Sequence, residues 1–459
     1  MTSAKSICVI IAAITGSAWP AEFPVNTRTV YNQSNPAIAI DAAGRFVLVW
    51  SSYRQDGDSG SIVGRRFGPD CLPATAEFQV NTRTEGNQTA PAIAMYPTGQ
   101  FLVAWQGPGA RDEDVYARCF DANCLPVAAE FPLGSLNGPA RRFPRVAASP
   151  AGPFAAVWES RRDTPEGYAS TIEARRFDAD GKPLGSEFVV SQMPDCRYPD
   201  LAVDARGNLM VVWLLDKSTK CIMARLYDAQ ARPKTDAFQL NQLPFTSLTR
   251  PAVAAEAAGN FIVTWDGHPD RASMDDIHAR WFGPDGDALT DQFHVNTTTA
   301  GAQQNPRVSI TSQGRFVIVW NGPGGTELDA TDVFAQRYNA LVAPLGGQML
   351  INRYTPDQQK YPVVAVAPGG KFVAAWQSYG QDGSGYGIFA TSDAMNCPED
   401  LNQDGQTNFA DYCLFAAKWR PGTDVPASDL NQDGILDARD LAEFSRRWLS
   451  PCQRCDLSQ

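Results

Sequence analysis

Near its C-terminal end the chain carries two oxygen-rich loops at a spacing suited to a hard cation. The first runs Asp400-Leu-Asn402-Gln-Asp404-Gly405-Gln406-Thr-Asn408-Phe-Ala-Asp411, and the second Asp429-Leu-Asn431-Gln-Asp433-Gly434-Ile435-Leu-Asp437-Ala-Arg-Asp440. Calcium takes six to eight oxygens, and a twelve-residue loop offers them from positions one, three, five, seven, nine and twelve. Loop one supplies Asp400, Asn402, Asp404, the Gln406 carbonyl, Asn408 and Asp411. Loop two supplies Asp429, Asn431, Asp433, the Ile435 carbonyl, Asp437 and Asp440. Gly405 and Gly434 stand sixth, where the chain must turn sharply. One such loop also occurs as a plain turn, whereas two in tandem predict two bound Ca2+ ions.

Elsewhere the residues able to do chemistry are scattered. Arg145 and Arg307 each follow a proline, and Glu159 and Asp266 each follow a tryptophan. Together they are the candidates for gripping an anion and for acid or base work, and strand-end solvation or ion pairing is the competing role for each. A glycosidase would need two carboxylates across the scissile bond. The three histidines, His268, His278 and His294, come without a nucleophile elbow or zinc spacing, so no histidine-based mechanism is expected.

The elements that position these residues are repeats. Trp50, Trp105, Trp158, Trp213, Trp265, Trp320 and Trp376 recur every 52 to 56 residues. A proline opens the apolar run before each (Pro36, Pro91, Pro144, Pro199, Pro251, Pro306, Pro362), and a glycine from Gly44 to Gly370 separates the two runs. Each repeat holds four strand-length segments, in repeat one 22–26, 36–40, 46–50 and 62–67, bounded by Gly, Asp, Asn and Pro. Four strands per repeat of about 50 residues is the arithmetic of a propeller blade, giving an all-β, seven-bladed β-propeller over residues 19–393. The two middle segments should lie nearest the axis. The first segment has no blade before it and the last repeat lacks an outer strand, so the N-terminal strand is expected to close blade seven. The tryptophans are expected in the core. The third-strand arginines (Arg65, Arg118, Arg175, Arg225, Arg280, Arg337) are expected to pair with acidic turns. The variable loops after each tryptophan read first as solvated hairpins, and second as cradles for calcium or sugar.

At 459 residues the chain has room for this array and a small module, and with 44% hydrophobic and 19% charged residues it can bury a core. A net charge of −11 argues against a nucleic-acid partner. No apolar run is long enough to span a membrane. Lys5, the run from Ile7 to Ile14 and the small residues Gly16-Ser17-Ala18 read as a signal peptide over 1–18, hence a secreted, extracellular or cell-surface protein. Ten cysteines suit an oxidising compartment, with Cys196 and Cys221 positioned to staple two strand tips.

The tail, 394–459, is a duplicated loop-plus-helix unit at an offset of 29 residues, with helices expected over 411–419 and 440–449. It resembles a type I dockerin, the small all-α calcium-binding module by which secreted polysaccharide-degrading enzymes dock onto cohesins. The resemblance rests on the tandem loops, aspartate at position twelve, and a single helix after each loop. It implies calcium-dependent folding and a cohesin-like or cell-surface partner. Positions ten and eleven hold Phe409-Ala410 and Ala438-Arg439 where cellulosomal dockerins carry a Ser-Thr type pair. Cys397 with Cys452 or Cys455 could clasp the module's ends. The repeat array resembles, in architecture alone, the seven-bladed propellers of the sialidase and Asp-box type. The combined reading is a secreted, calcium-binding, non-catalytic scaffold that presents its propeller to a polysaccharide, glycoprotein or other protein. The alternative is a glycoside hydrolase with its site in the propeller funnel.

Overall fold

The computed structural model describes residues 22–394, apart from 111, 136–137, 151, 166, 192, 218, 271–272 and 325–329, and in the C-terminal segment residues 409–418, 430 and 439–442. The expected leader and the cysteines at 8, 397, 452 and 455 lie outside the described residues.

Seven antiparallel sheets form the ring. In blade one the order from the axis outward is Gln33–Ile40, Phe46–Tyr53, Gly60–Phe67 and Phe78–Gln79, and the other blades repeat it. The innermost strands of successive blades touch one another all the way round, from the first blade to the seventh and back. Blade seven (Gln359–Val366, Lys371–Tyr379, Tyr386–Ala394) is completed by Phe23–Pro24, with Phe23 opposite Ala390 and Pro24 opposite Phe389. The orphan first strand and the missing last one are therefore the same strand, and blade seven ends, like five of the other blades, on a two-residue outer edge rather than on the bare third strand Tyr386–Ala394.

The repeat markers have local physical roles. The inner hairpin of blade one turns on Asp41, whose Oδ1 accepts the N–H of Ala43 and Arg45 at 3.0 and 2.9 Å, with Gly44 in the left-handed region at φ 77°. Each tryptophan ends its apolar strand fully buried, packed against the blade before it. The core is thus seven interblade layers rather than one centre. The outer Phe-x-Val-Asn segment, Phe-x-Leu-Asn in blade four, puts its asparagine against the third strand: Asn81 Oδ1 accepts the Ile62 N–H and Asn241 Oδ1 the Ile222 N–H, both at 2.8 Å.

Two expectations are corrected. The third-strand arginines do not seek acidic turns. Arg65, Arg118, Arg175, Arg225 and Arg280 each donate to two backbone carbonyls, one ten residues ahead in their own blade and one in the outer strand of the preceding blade. Arg225, for example, reaches Thr235 O at 3.1 Å and Val190 O at 3.4 Å. A guanidinium carries five donors in a fixed fork, so it can bridge two blades where a lysine could not. Arg337 departs from the set: it is buried, 3.9 Å from Asp393. The second correction concerns cysteine, since all six described cysteines are free thiols. Cys196 and Cys221 both face Leu215, on opposite sides of its strand. Two strand spacings, about 9–10 Å, separate them, against the roughly 7 Å that a disulfide tolerates between Cα atoms.

In the C-terminal segment Phe409–Lys418 is helical and a helical turn covers 439–442.

Candidate functional site

Near the start of every inner strand stands a residue followed by proline, in blade five just before Ala252–Ala255, and this dipeptide builds the mouth of the axial channel. In six blades the residue before proline is left-handed without being glycine: Asn35, Ala90, Phe143, Tyr198, Asn305 and Tyr361, with φ between 50° and 58°. Each sits in a bulge that shifts the register to the second strand. Such backbone is strained, more so ahead of proline, and persists only where neighbours fix it. The residue after tryptophan in the preceding blade supplies part of that fixing. Gln377 Oε1 accepts the Asn35 N–H at 3.1 Å, Gln106 Oε1 the Phe143 N–H at 3.2 Å, and Asn321 Oδ1 the Tyr361 N–H at 3.4 Å. Glu159 accepts the Tyr198 N–H in the same way. In blade four the equivalent residue is Leu214, whose side chain can accept nothing. The inner strand of blade five is the one that breaks in two there, around Thr249-Arg250-Pro251.

Arg145, Asp200 and Arg307 occupy the same slot, the one after proline, in blades three, four and six, and Arg250 occupies the slot before proline in blade five. All four converge at the channel. Arg145 Nε lies 4.0 Å from Asp200 Oδ1, and Asp200 Oδ2 accepts the Val253 N–H at 3.1 Å. Arg145 and Arg307 each brace Nη1 on the carbonyl of their own proline, at 2.9 and 3.2 Å. The Arg250 guanidinium sits over the rings of Tyr198 and Phe143, 4.6 and 5.4 Å from their centroids. Protein surrounds these groups, yet Arg145 keeps 22% and Asp200 17% of its side-chain surface accessible, because the channel itself holds solvent space.

The electrostatics follow from crowding like charges in little water. Burial, then Arg307, pushes the Arg145 guanidinium down to about 10, with Asp200 opposing, and burial lowers Arg307 too. Burial raises Asp200, while Arg307 and Arg145 pull it back. Burial raises Asp266 to about 7, against the hydrogen bond from Thr249 Oγ1. Burial likewise raises Glu159. His268 Nδ1 lies 2.6 Å from Asp275, which also accepts from Gln304 Nε2 at 3.0 Å.

The cavity at this mouth measures about 190 Å³ and is lined by Arg145, Arg250 and Arg307 among prolines, amides and aromatic rings, with no carboxylate among its described lining residues. Of the sequence candidates, Arg145 and Arg307 meet there. Glu159 is a backbone cap, and Asp266 lies buried behind the lining. Arg250 and Asp200 escaped the sequence reading. Aligning the residues on either side of the seven prolines was the available signal, for Arg250 is the sole charged residue in its slot.

No family model matches the chain, and no curated protein does. Among solved structures, a protein of unknown function from Dyadobacter fermentans superposes with a TM-score of 0.50 at 9% identity, over 82% of this chain and 98% of that one. What they share is the fold. The arabinobiose complex of Penicillium chrysogenum α-L-arabinanase gives 0.46 at 12% identity, over 68% of this chain and 96% of that one. The β-propeller domain of the Trilobed protease from Pyrococcus furiosus gives 0.45 at 9%, over 78% and 94%.

The calcium set is placed only at its end. Asp440 is buried, and its Oδ1 accepts the N–H of Leu430 at 2.7 Å, tying the second position of loop two to the twelfth. The side chains of Asp400, Asn402, Asp404, Gln406, Asn408, Asp411, Asp429, Asn431, Asp433, Ile435 and Asp437 lie outside the described residues. In the variable loop of blade one, Asp58 Oδ2 accepts the Gly86 N–H at 2.7 Å. No metal-binding cluster of His, Cys, Asp or Glu stands among the described residues, and no described helix is long and apolar enough to cross a membrane.

Proposed function

We propose that this chain is a secreted binding protein whose propeller captures a ligand in the axial funnel without cleaving it. Its calcium-loaded C-terminal module, with two Ca2+ ions, attaches it to a cohesin-like or cell-surface partner. The observation that carries the binding reading is the funnel: three guanidinium groups line its cavity, and the one carboxylate beside them, Asp200, stands outside the described lining residues with its Oδ2 on the Val253 N–H. Hydrolysis of a glycosidic bond needs an acid and a base or nucleophile reaching the same bond. Here Asp200 holds a backbone N–H beside two arginines and Glu159 caps Tyr198. The dockerin resemblance of the tail supports the attachment half of the reading, and the repeated loops set the ion count.

One observation favours the alternative, a glycoside hydrolase: Asp266, raised to about 7, holds a proton near neutral pH as a general acid must. Parallel measurements on the full chain separate the two. With a panel of polysaccharides, retention on the polymer and release of reducing ends are followed together. Retention without release is expected; release that disappears in Asp266→Asn establishes the hydrolase instead. For the tail, calorimetric titration of calcium into the chelator-stripped chain should show two ions, lost in the Asp404→Ala, Asp433→Ala double variant. Unchanged heats in that variant would remove the calcium loops from the reading.

A further inference from the structure

The funnel mouth is built where the inner strands start, so the hairpin turns where they end lie on the opposite face of the ring. On that face neighbouring blades meet along seams made of equivalent residues, and each seam is a control for the others. Between blades one and two the seam is plugged. Arg66, near the end of the third strand, places Nη2 2.9 Å from Asp41 Oδ2 in its own inner turn and Nη1 3.4 Å from the Gly99 carbonyl in the turn of blade two. Arg66, Asp41 and Cys124 are all buried there. Between blades two and three Tyr96 takes the place, its hydroxyl donating to Gly152 O at 2.8 Å. Between blades five and six Trp281 is buried against Phe316.

Between blades three and four the positions of Arg66, Asp41, Gly99 and Cys124 are held by Arg176, Ser149, Gly207 and Ala231. The arginine stays, while the carboxylate and the sulfur that filled the seam are gone. What remains is a crevice of about 290 Å³, lined by these four and by Arg206, Val203 and Leu209 among others. Arg66 Nη2 and Asp41 Oδ2 lie 2.9 and 3.1 Å from where a Cβ on Gly99 would stand, whereas the nearest atoms at Gly207 belong to Ala229 and Ser149. The Arg176 side chain makes no hydrogen bond or ion pair among the described residues.

We propose that this crevice binds a small carboxylate with a short apolar tail, its carboxylate standing against Arg176 as that of Asp41 stands against Arg66, and its tail lying on Val203, Leu209 and Ala231. The site is separate from the funnel and does not depend on what the funnel takes.

One acid already stands nearby, but it is committed elsewhere. Asp228 Oδ1 accepts the N–H of Gln230 and Arg232, both at 2.9 Å, and its Oδ2 accepts Arg232 Nε at 2.7 Å. Asp121 holds the equivalent position in blade two, with its Oδ1 on the N–H of Asn123 and Leu125. There the arginine pairs with Asp41 all the same, so a turn acid in this slot does not satisfy it. With Asp228 paired to Arg232, Arg176 and Arg206 leave the crevice positive. Burial disfavours the charge on Arg176, with Asp228 opposing, and a bound anion favours it again. A planar carboxylate matches the guanidinium fork, and inorganic phosphate would leave the apolar wall unmatched. The volume lies at the lower edge of the roughly 300–1,000 Å³ of pockets for drug-sized ligands, which limits the tail to a short one.

The test is ligand-observed NMR titration of the full chain with isovalerate, its neutral amide, acetate and inorganic phosphate. Isovalerate should bind at least tenfold tighter than the amide, which lacks the charge, and than acetate, which lacks the tail. Arg176→Gln, checked for an unchanged melting temperature, should lose at least tenfold. Ser149→Asp restores the missing carboxylate from within, in a turn that already accepts aspartate at Asp41 and Asp204. It should abolish binding and raise the melting temperature. No binding of isovalerate, equal affinity for acid and amide, phosphate ahead of isovalerate, or binding that survives in Ser149→Asp overturns the proposal. Binding untouched by Arg176→Gln but lost in Arg307→Gln would belong to the funnel and overturn it as well.

Discussion

Asp266 shows how a single residue behaves once its repeat slot is occupied by an acid. Its counterparts after tryptophan are Ser51, Gln106, Glu159, Leu214, Asn321 and Gln377. With 1% of its surface exposed and its carboxyl raised to about 7 by burial, it binds a proton in the fold that it releases near 3.8 when unfolded. The folded state thus holds the extra proton between these values. Its contribution to stability is full below about pH 4 and is lost as pH rises through about 7. Asp266→Asn should flatten that slope and stabilise the protein at pH 8 by on the order of a few kcal/mol, read as denaturation midpoints across pH 4–8. An unchanged slope would mean that Asp266 is ionised in the fold. At this scale the sequence was half legible. Arg145 and Arg307 could be picked out because they follow marked prolines. Arg250 had one signal, the sole charge in the slot before proline, but its setting, a neighbour Leu214 whose side chain supplies no cap and a strand broken in two, has no periodicity to announce it.

Among the elements, the bulged inner strand is where sequence pattern turns into channel geometry. Gln106→Ala should leave the Phe143 N–H without its acceptor, costing about 1–3 kcal/mol and loosening the ring on which Arg250 rests. Urea unfolding measures the first, and the near-ultraviolet circular dichroism of the aromatic rings the second. The arginine that joins two blades makes a different forecast. Arg225→Met loses its bonds to Thr235 O and Val190 O and the cation–π contact to Tyr227, 5.6 Å away, at about 1–2 kcal/mol. Because its partners are carbonyls, the loss should be nearly the same at 0.05 and 0.5 M salt, whereas pairing with acidic turns would make it salt-dependent. Strand positions were plain in the alternation and in the Pro, Gly and Trp markers. The destination of these arginines was not, since a backbone carbonyl has no sequence signature.

For the whole molecule, closure is the property that matters. Counting strands was enough to foresee it, because one orphan at each end of the array leaves a single arrangement without an open edge. Val25 is fully buried, its N–H donates to Ile388 O at 2.9 Å, and Asn26 Oδ1 accepts the Ile388 N–H at 2.6 Å. Removing residues 22–26 should expose the edge of Tyr386–Ala394, lower the melting temperature by several degrees and add a concentration-dependent dimer in sedimentation. A monomer with unchanged melting would show that blade seven needs no fourth strand. The tail is an expectation of another kind: ligand spacing in its loops predicts calcium, and of the twelve predicted ligands Asp440 is the one whose side chain is among the described residues.

The bond between Asn26 and Ile388 spans 362 residues, while almost every other pairing in the ring joins neighbours along the chain. Blades one to six can form as soon as their own residues are available, but the seventh must wait for both extremities to meet. Loop-closure entropy therefore falls almost entirely on one late event. Until it happens, the strand Tyr386–Ala394 offers a bare edge to any other chain. How fast that clasp shuts, more than how stable it is once shut, decides how much of a newly made population reaches the native ring rather than an aggregate.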